Sequence, residues 1–199
     1  MAFYDPLKNL SPSKLKSLAN AQLSELIDKE AVRARTSLDD FQQRYPSAGP
    51  RELSQRYIDS RKQMASVLGG VTGVFGVASV PIDLLGMVYL QMALLVEIGT
   101  VFKADLRGER GKKDVLDLFG YANGIGPIQR ASPKVLGSLA SMVLAKTGLK
   151  AIGRAMPLVA APVSAYLNNQ HIQRVGDSAI RHFDGWLHAQ EKAKRASSE

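Results

Sequence analysis

Apolar residues recur at helical spacing along most of this chain. Ser11-Pro12 reads as a helix start, because serine caps orphan amides and proline suits the first helical position. Leu15, Leu18, Leu23, Leu26 and Ile27 follow as one stripe, and Ala31, Ala34, Leu38, Phe41 and Tyr45 extend it. Pro46 to Pro50 is a breaker-rich loop. Leu53, Tyr57, Met64 and Leu68 then predict a second helix.

The stretch from Gln63 to Ile82 contains no charged residue. Within it, Gly69, Gly70, Gly73 and Gly76 are spaced at three and four, which puts glycine on one helix face where another backbone can approach. Three readings stand side by side: a tight helix–helix contact in a soluble core, a membrane-inserting hairpin, or an irregular glycine loop. Pro81 interrupts the run. Asp83 falls in the first turn of a further helix, Ile82 to about Lys103, where a carboxylate suits the positive helix end. Capping is its simplest role. Val88, Leu90, Met92, Leu94, Leu95, Val96 and Ile98 make this helix apolar nearly all round, so it is buried in protein or in lipid.

Beyond it, Arg107 to Gly111 reads as a solvated loop, Lys112 to Ala122 as a short helix, and Asn123-Gly124-Ile125-Gly126-Pro127 as another loop. Ser132-Pro133 repeats the helix-start signal. Leu136, Leu139, Ala140, Val143 and Leu144 form a stripe, and Lys146, Lys150 and Arg154 lie four apart on one face of that helix. Pro157 and Pro162 bracket a small-residue segment. A helical pattern then runs from Val163 to about Lys194, with a tail at Ala196 to Glu199 that should fray. No period-2 alternation bounded by hairpin turns appears. The expected fold is therefore all-α: a single compact domain of five to seven helices around a central apolar, glycine-rich helical hairpin. It divides into a polar helical region over 1–62, a helical domain over 63–195 and a tail over 196–199.

Charge sharpens this division. Residues 63–102 carry only Asp83 and Glu97, and basic residues return at Lys103. The net charge of +8 draws the protein toward polyanions, either anionic lipid or nucleic acid. Signs alternate along the N-terminal helices, as on a solvated surface, which argues against nucleic acid. The face of Lys146, Lys150 and Arg154 is purely basic and lies beside the apolar segment Ala155 to Ala165. That combination suits an interfacial helix, with snorkelling from a soluble helix as the alternative. The chain contains no cysteine, so disulfides and thiolate metal sites are excluded. The first ten residues hold Asp5 and Pro6 and lack a long apolar core, which is unlike a secretory signal and points to the cytosol.

Conventional catalytic constellations are missing. His171, His182 and His188 complete no zinc motif, and no G-x-S-x-G elbow occurs. The Gly69–Gly76 run lacks the lysine and hydroxyl of a phosphate-binding loop and the spacing of a dinucleotide fingerprint. No metal or cofactor is expected.

Two segments resemble the EcsC family. One is Leu68-Gly69-Gly70-Val71-Thr72-Gly73 through Pro81-Ile82-Asp83, a glycine-rich apolar block followed by a spacer, proline and aspartate. The other is Pro157-Leu158-Val159-Ala160-Ala161, then Asn168, Arg174-Val175-Gly176 and Ala179-Ile180-Arg181-His182-Phe183. Together they cover roughly residues 60–190. The chain departs from the family pattern at Ala160 and Ser164, where glycine is favoured, and at Pro162. The resemblance implies a bacterial, helical protein without an agreed catalytic residue, associated with an ABC transport system at the cytoplasmic membrane. Asp83, Pro157 and Asn168 match family positions of unknown role.

The resulting expectation is a non-enzymatic, membrane-peripheral interaction protein at the inner face of the cell membrane. It would meet a membrane surface or membrane protein through Gly69, Gly73 and Phe75 and through Lys146, Lys150 and Arg154. The glycine face also offers a route to a homo-oligomer. Competing readings are a soluble helical adaptor without lipid contact, and an enzyme with an unrecognised site at Asp83, His171 or Asn168.

Overall fold

The computed structural model describes residues 12–75, 80–124, 126–127 and 161–196, with side chains placed for 21, 23–67, 86–124, 126–127 and 169–196. Every element among the described residues is a helix: α1 Pro12–Arg44, α2 Pro50–Phe75, α3 Val80–Val101, α4 Glu109–Ala122 and α5 Ala161–Ala196. The all-α expectation holds. The hairpin break expected at Val77 to Pro81 is only partly described: Val80 and Pro81 already belong to α3, while residues 77–79 lie outside the described residues, as do the helix expected after Ser132-Pro133 and the tail 197–199. Proline stands at or beside the first position of α1, α2, α3 and α5, where its missing N–H would have no intrahelical partner.

The centre of the structure is α3, which touches each of the other four helices. Leu90, Met92, Leu94, Leu95, Val96 and Ile98 are buried, so the all-round apolar pattern of this helix reflects enclosure by protein. Around it pack Leu23, Ile27, Ala31 and Ala34 of α1, Leu53, Tyr57, Ile58 and Ala65 of α2, Val115 and Phe119 of α4, and Ile172, Val175, Ala179 and Phe183 of α5. Spacings of three and four generate the stripes of α1, α4 and α5. Met64, assigned by its spacing to the apolar stripe of α2, instead faces outward, and Ala65 takes the inward position.

The most extensive contact is between α2 and α5. A Cβ built on Gly176 of α5 would lie 2.4 Å from Cγ1 of Ile58, so glycine is what lets the two helices approach this closely. Polar bonds flank the contact: Arg51 donates to Asp184 at 2.6 Å, Lys62 to Gln173 at 3.1 Å and Ser66 to Asn169 at 3.1 Å.

The expected loop from Arg107 to Gly111 is shorter than its composition suggests, because α4 begins at Glu109. An acidic residue in the first turn favours that start. Gly111 is buried in the first turn, where a Cβ would meet the Asp105 carbonyl oxygen at 2.0 Å, so its presence records a close approach. At the other end of α4, Gly124 and Gly126 have positive φ, as expected for the turn read there.

Candidate functional site

Two arrangements of charge lie along α3, one inside the bundle and one at its C-terminal end. The internal one begins with Glu97, one of the two charges in the apolar stretch. Glu97 is 7% exposed and accepts two hydrogen bonds from Arg61 of α2, one from Nε to Oε2 at 2.9 Å and one from Nη2 to Oε1. Arg61 is itself only 12% exposed along its side chain. Two parallel N–H···O bonds fix the relative rotation and register of α2 and α3 as well as satisfying the charges. Burial raises the Glu97 pKa, and Arg61 opposes that rise. For Arg61, burial pulls the pKa down, and Glu97 more than offsets it.

Two helical turns back along α3, the Tyr89 hydroxyl donates to Glu30 of α1 at 3.1 Å, and Arg33 donates to the same carboxylate oxygen at 2.6 Å. Glu30 is 4% exposed, yet its charge is met from both sides. Burial, followed by the Glu30 charge, raises the Tyr89 pKa. Gln91 is buried and accepts from Asn123 Nδ2 at 2.7 Å, tying α3 to the end of α4. These groups therefore join α1, α2, α3 and α4 through satisfied polar contacts. Among the described residues, none of these groups lines the clefts beside α5, at the start of α4, between α2 and α5, or at the end of α3, and no cluster of His, Asp and Glu is placed to hold a metal ion.

The second arrangement is at the end of α3. The helix closes with Phe102 N–H bonded to Ile98 O at 3.1 Å, Lys103 N–H to Thr100 O at 3.0 Å, and Ala104 N–H to Gly99 O at 2.9 Å. The last two are the bonds of a Schellman ending, whose left-handed position is usually glycine. Here it is Lys103, at φ 57°. Lys103, Arg35 of α1 and Arg107 line one cleft with Ala31, Leu38 and Leu106. Asp105 is turned elsewhere: its Oδ1 accepts from the amides of Arg107 and Gly108, both at 3.3 Å.

Many of the sequence-derived candidates lie beyond these descriptions. Lys146, Lys150, Arg154 and Pro157 are outside the described residues. Gly69, Gly73 and Phe75 are on the C-terminal half of α2, Asp83 is in the first turn of α3, and Asn168 is on α5, but their side chains are outside the described set. His171, His182 and His188 all lie on α5. His171 and His182 are separated by roughly 16 Å of helix rise, too far to share a metal. His171 is half-buried, and burial lowers its pKa. His182 approaches Asp114 at 4.0 Å, and His188 approaches Asp184 at 3.7 Å.

Sequence reading missed both arrangements on α3. A glutamate that is one of only two charges in residues 63–102 is the signal that marks the buried pair. A lysine two residues past a helix end, in place of glycine, is the signal that marks the cleft.

The fold and these sites define a helical bundle built on a central apolar helix with paired buried charges. No protein-family model matches the chain, and no curated protein or solved structure does so either.

Proposed function

We propose that the protein is a non-enzymatic, membrane-peripheral interaction protein of the EcsC type. It meets an anionic bilayer or a membrane partner through the glycine-rich end of α2 and the basic stripe of Lys146, Lys150 and Arg154. Such a protein works on the cytoplasmic side of the membrane. The observation that supports this reading is a change along the outer face of α2. Its first turns expose Arg51, Glu52 and Asp59, whereas Met64 is 48% exposed and Val67 68% exposed where the charge-free stretch begins. An outward face that turns apolar toward Gly69 suits contact with lipid or protein. No helix among the described residues is long and apolar enough to cross a membrane, so the contact proposed is peripheral.

A specific observation favours a second reading, a soluble helical adaptor without lipid contact: the apolar residues of α3 from Met87 to Ile98 are enclosed by protein. Co-flotation with neutral and anionic vesicles at low and high salt separates the two. Each cation near an anionic surface contributes about 1 kcal/mol, so three contribute ~3 kcal/mol. Changing Lys146, Lys150 and Arg154 together to glutamate should therefore weaken anionic-vesicle binding by at least about a hundredfold. High salt should also weaken wild-type binding. A wild-type protein that floats with neither vesicle is the adaptor. One that floats equally with both, at any salt, attaches through the apolar face of α2 alone.

A further inference from the structure

The cleft at the end of α3 differs from the other surface clefts in how its cations are treated. Beside α5, Arg51 and Arg181 share a cleft with Asp177 and Asp184, and Arg51 is bonded to Asp184. Near the start of α4, Arg110 shares one with Asp105 and Asp114. In the cleft between α2 and α5, Lys62 donates to Gln173 and Arg174 to Gln170. The α1–α3 cleft contains Arg35, Lys103 and Arg107 and, among the described residues, no carboxylate in its lining. Among the described residues, none of these three side chains has a side-chain acceptor within hydrogen-bond distance. The space they face is about 660 Å³, counting the part open to solvent, with Leu38 and Leu106 as apolar walls.

Three like charges sharing one cleft repel each other. The backbone adds an independent sign. Lys103 holds the left-handed position of the helix ending, which glycine would hold without strain. The fold thus tolerates a left-handed lysine in the lining of the cleft. The nearest carboxylate in sequence, Asp105, is engaged by two backbone amides and lines a different cleft.

We propose that this cleft binds a phosphate group. Two guanidinium forks and one ammonium match a multiply charged tetrahedral oxyanion, because guanidinium presents paired donors and ammonium a compact charge. Arg35, Lys103 and Arg107 are all exposed, so the cleft is open to a ligand arriving from solvent. Lys103 is roughly 35 Å of helix rise from Val80, so the site lies at the opposite end of α3 from the glycine-rich connection. It therefore stands independently of bilayer attachment at that connection. The phosphate comes from a soluble phosphorylated compound or from a phosphate-bearing lipid headgroup, and the two sources are experimentally separable.

The test is calorimetric titration of the full chain with inorganic pyrophosphate, alongside co-flotation with phosphatidylcholine vesicles with and without phosphatidic acid. Variants are Arg35→Gln, Lys103→Gly and Arg107→Gln, with Lys113→Gln as a control for net charge, since Lys113 is exposed and already paired with Asp117. The proposal expects saturable binding of pyrophosphate or of phosphatidic acid vesicles, weakened at least roughly tenfold by each of the three cleft variants and unchanged by Lys113→Gln. Lys103→Gly should at the same time melt at a higher temperature, so loss of binding cannot be loss of fold. Pyrophosphate binding alone assigns a soluble ligand, and vesicle binding alone assigns a headgroup. Failure to bind either probe overturns the proposal. So does an equal loss in Lys113→Gln, which would reduce the effect to overall charge.

Discussion

Arg61 and Lys103 both serve α3, and they are treated in opposite ways. Arg61 reaches from α2 into the bundle and is bonded twice to a buried carboxylate. Lys103 ends α3 in a left-handed conformation and lines an open cleft with two other cations. The first arrangement makes sense as structure: it satisfies charge and sets register. The second gives the fold little and costs it backbone strain. Where charge is paired and hidden, the reason is stability or specificity. Where charge is gathered and unpaired beside a left-handed lysine, the bound phosphate proposed above is the reason we infer.

The sharpest way to break this contrast is Arg61→Met. It leaves Glu97 buried without its partner, a change that typically costs ~3–5 kcal/mol and should be plain in denaturant unfolding. The loss should depend on pH in a definite direction. Burial already raises the Glu97 pKa above the carboxylate value of 4.5, and removing Arg61 raises it further. The folded state then binds more protons than the unfolded state between 4.5 and the raised value. Stability falls as pH rises through that window, so Arg61→Met should be more stable at about pH 5 than at about pH 7.5. The double variant Arg61→Met with Glu97→Leu should recover most of the loss. If Arg61→Met unfolds at the wild-type denaturant concentration, the pair is not what holds α3.

A smaller effect is expected from Gly176→Ala, because the pairing of Arg61 with Glu97 requires α2 to be seated. The new methyl would press on Ile58, with Leu94 of α3 3.5 Å away. Overpacking of this kind costs about 1–3 kcal/mol, and a thermal melt checks it. An unchanged melting temperature would mean that α5 slides without disturbing the core.

The smallest effect has the opposite sign. Lys103→Gly relieves a left-handed conformation that costs an L-residue roughly 1–2 kcal/mol, part of which is lost to the greater freedom of glycine when unfolded. A net gain of about 0.5–1 kcal/mol is expected in the same melt. A destabilised Lys103→Gly would show that the lysine is part of the structure, and the contrast with Arg61 would disappear.

Most of the architecture was legible from spacing. Ser11-Pro12, the Pro46–Pro50 break and the apolar run of α3 define three of the five helices near their observed limits. Gly124 and Gly126 sit where a turn was read. Pairing across the bundle was not legible. Glu97 was visible as an isolated charge, but nothing in one sequence says that its partner is Arg61, 36 residues away. Arg35 sat among alternating signs on α1 and read as solvated surface, and Arg107 read as loop. Only folding brings them to one cleft with Lys103. Glycine spacing pointed to close helix approach at Gly69 and Gly73, whose surroundings lie outside the described residues, while the helix–helix approach at Gly176 carried no such spacing signal. Lys146, Lys150 and Arg154, the basic stripe read from sequence, are tested by the vesicle experiment.

The broad seam between α2 and α5 also bears on how the chain reaches its fold during synthesis. Lys62 and Gln173, bonded across that seam, are 111 residues apart. Closing a loop of that length costs roughly 4 kcal/mol of chain entropy before any contact rewards it. The ribosome delivers α2 long before α5, so the inner face of α2, with Ile58 at its centre, waits uncovered while the intervening residues are made. A nascent chain at that stage presents an apolar strip, the kind of transiently exposed surface that makes partly made chains prone to aggregation.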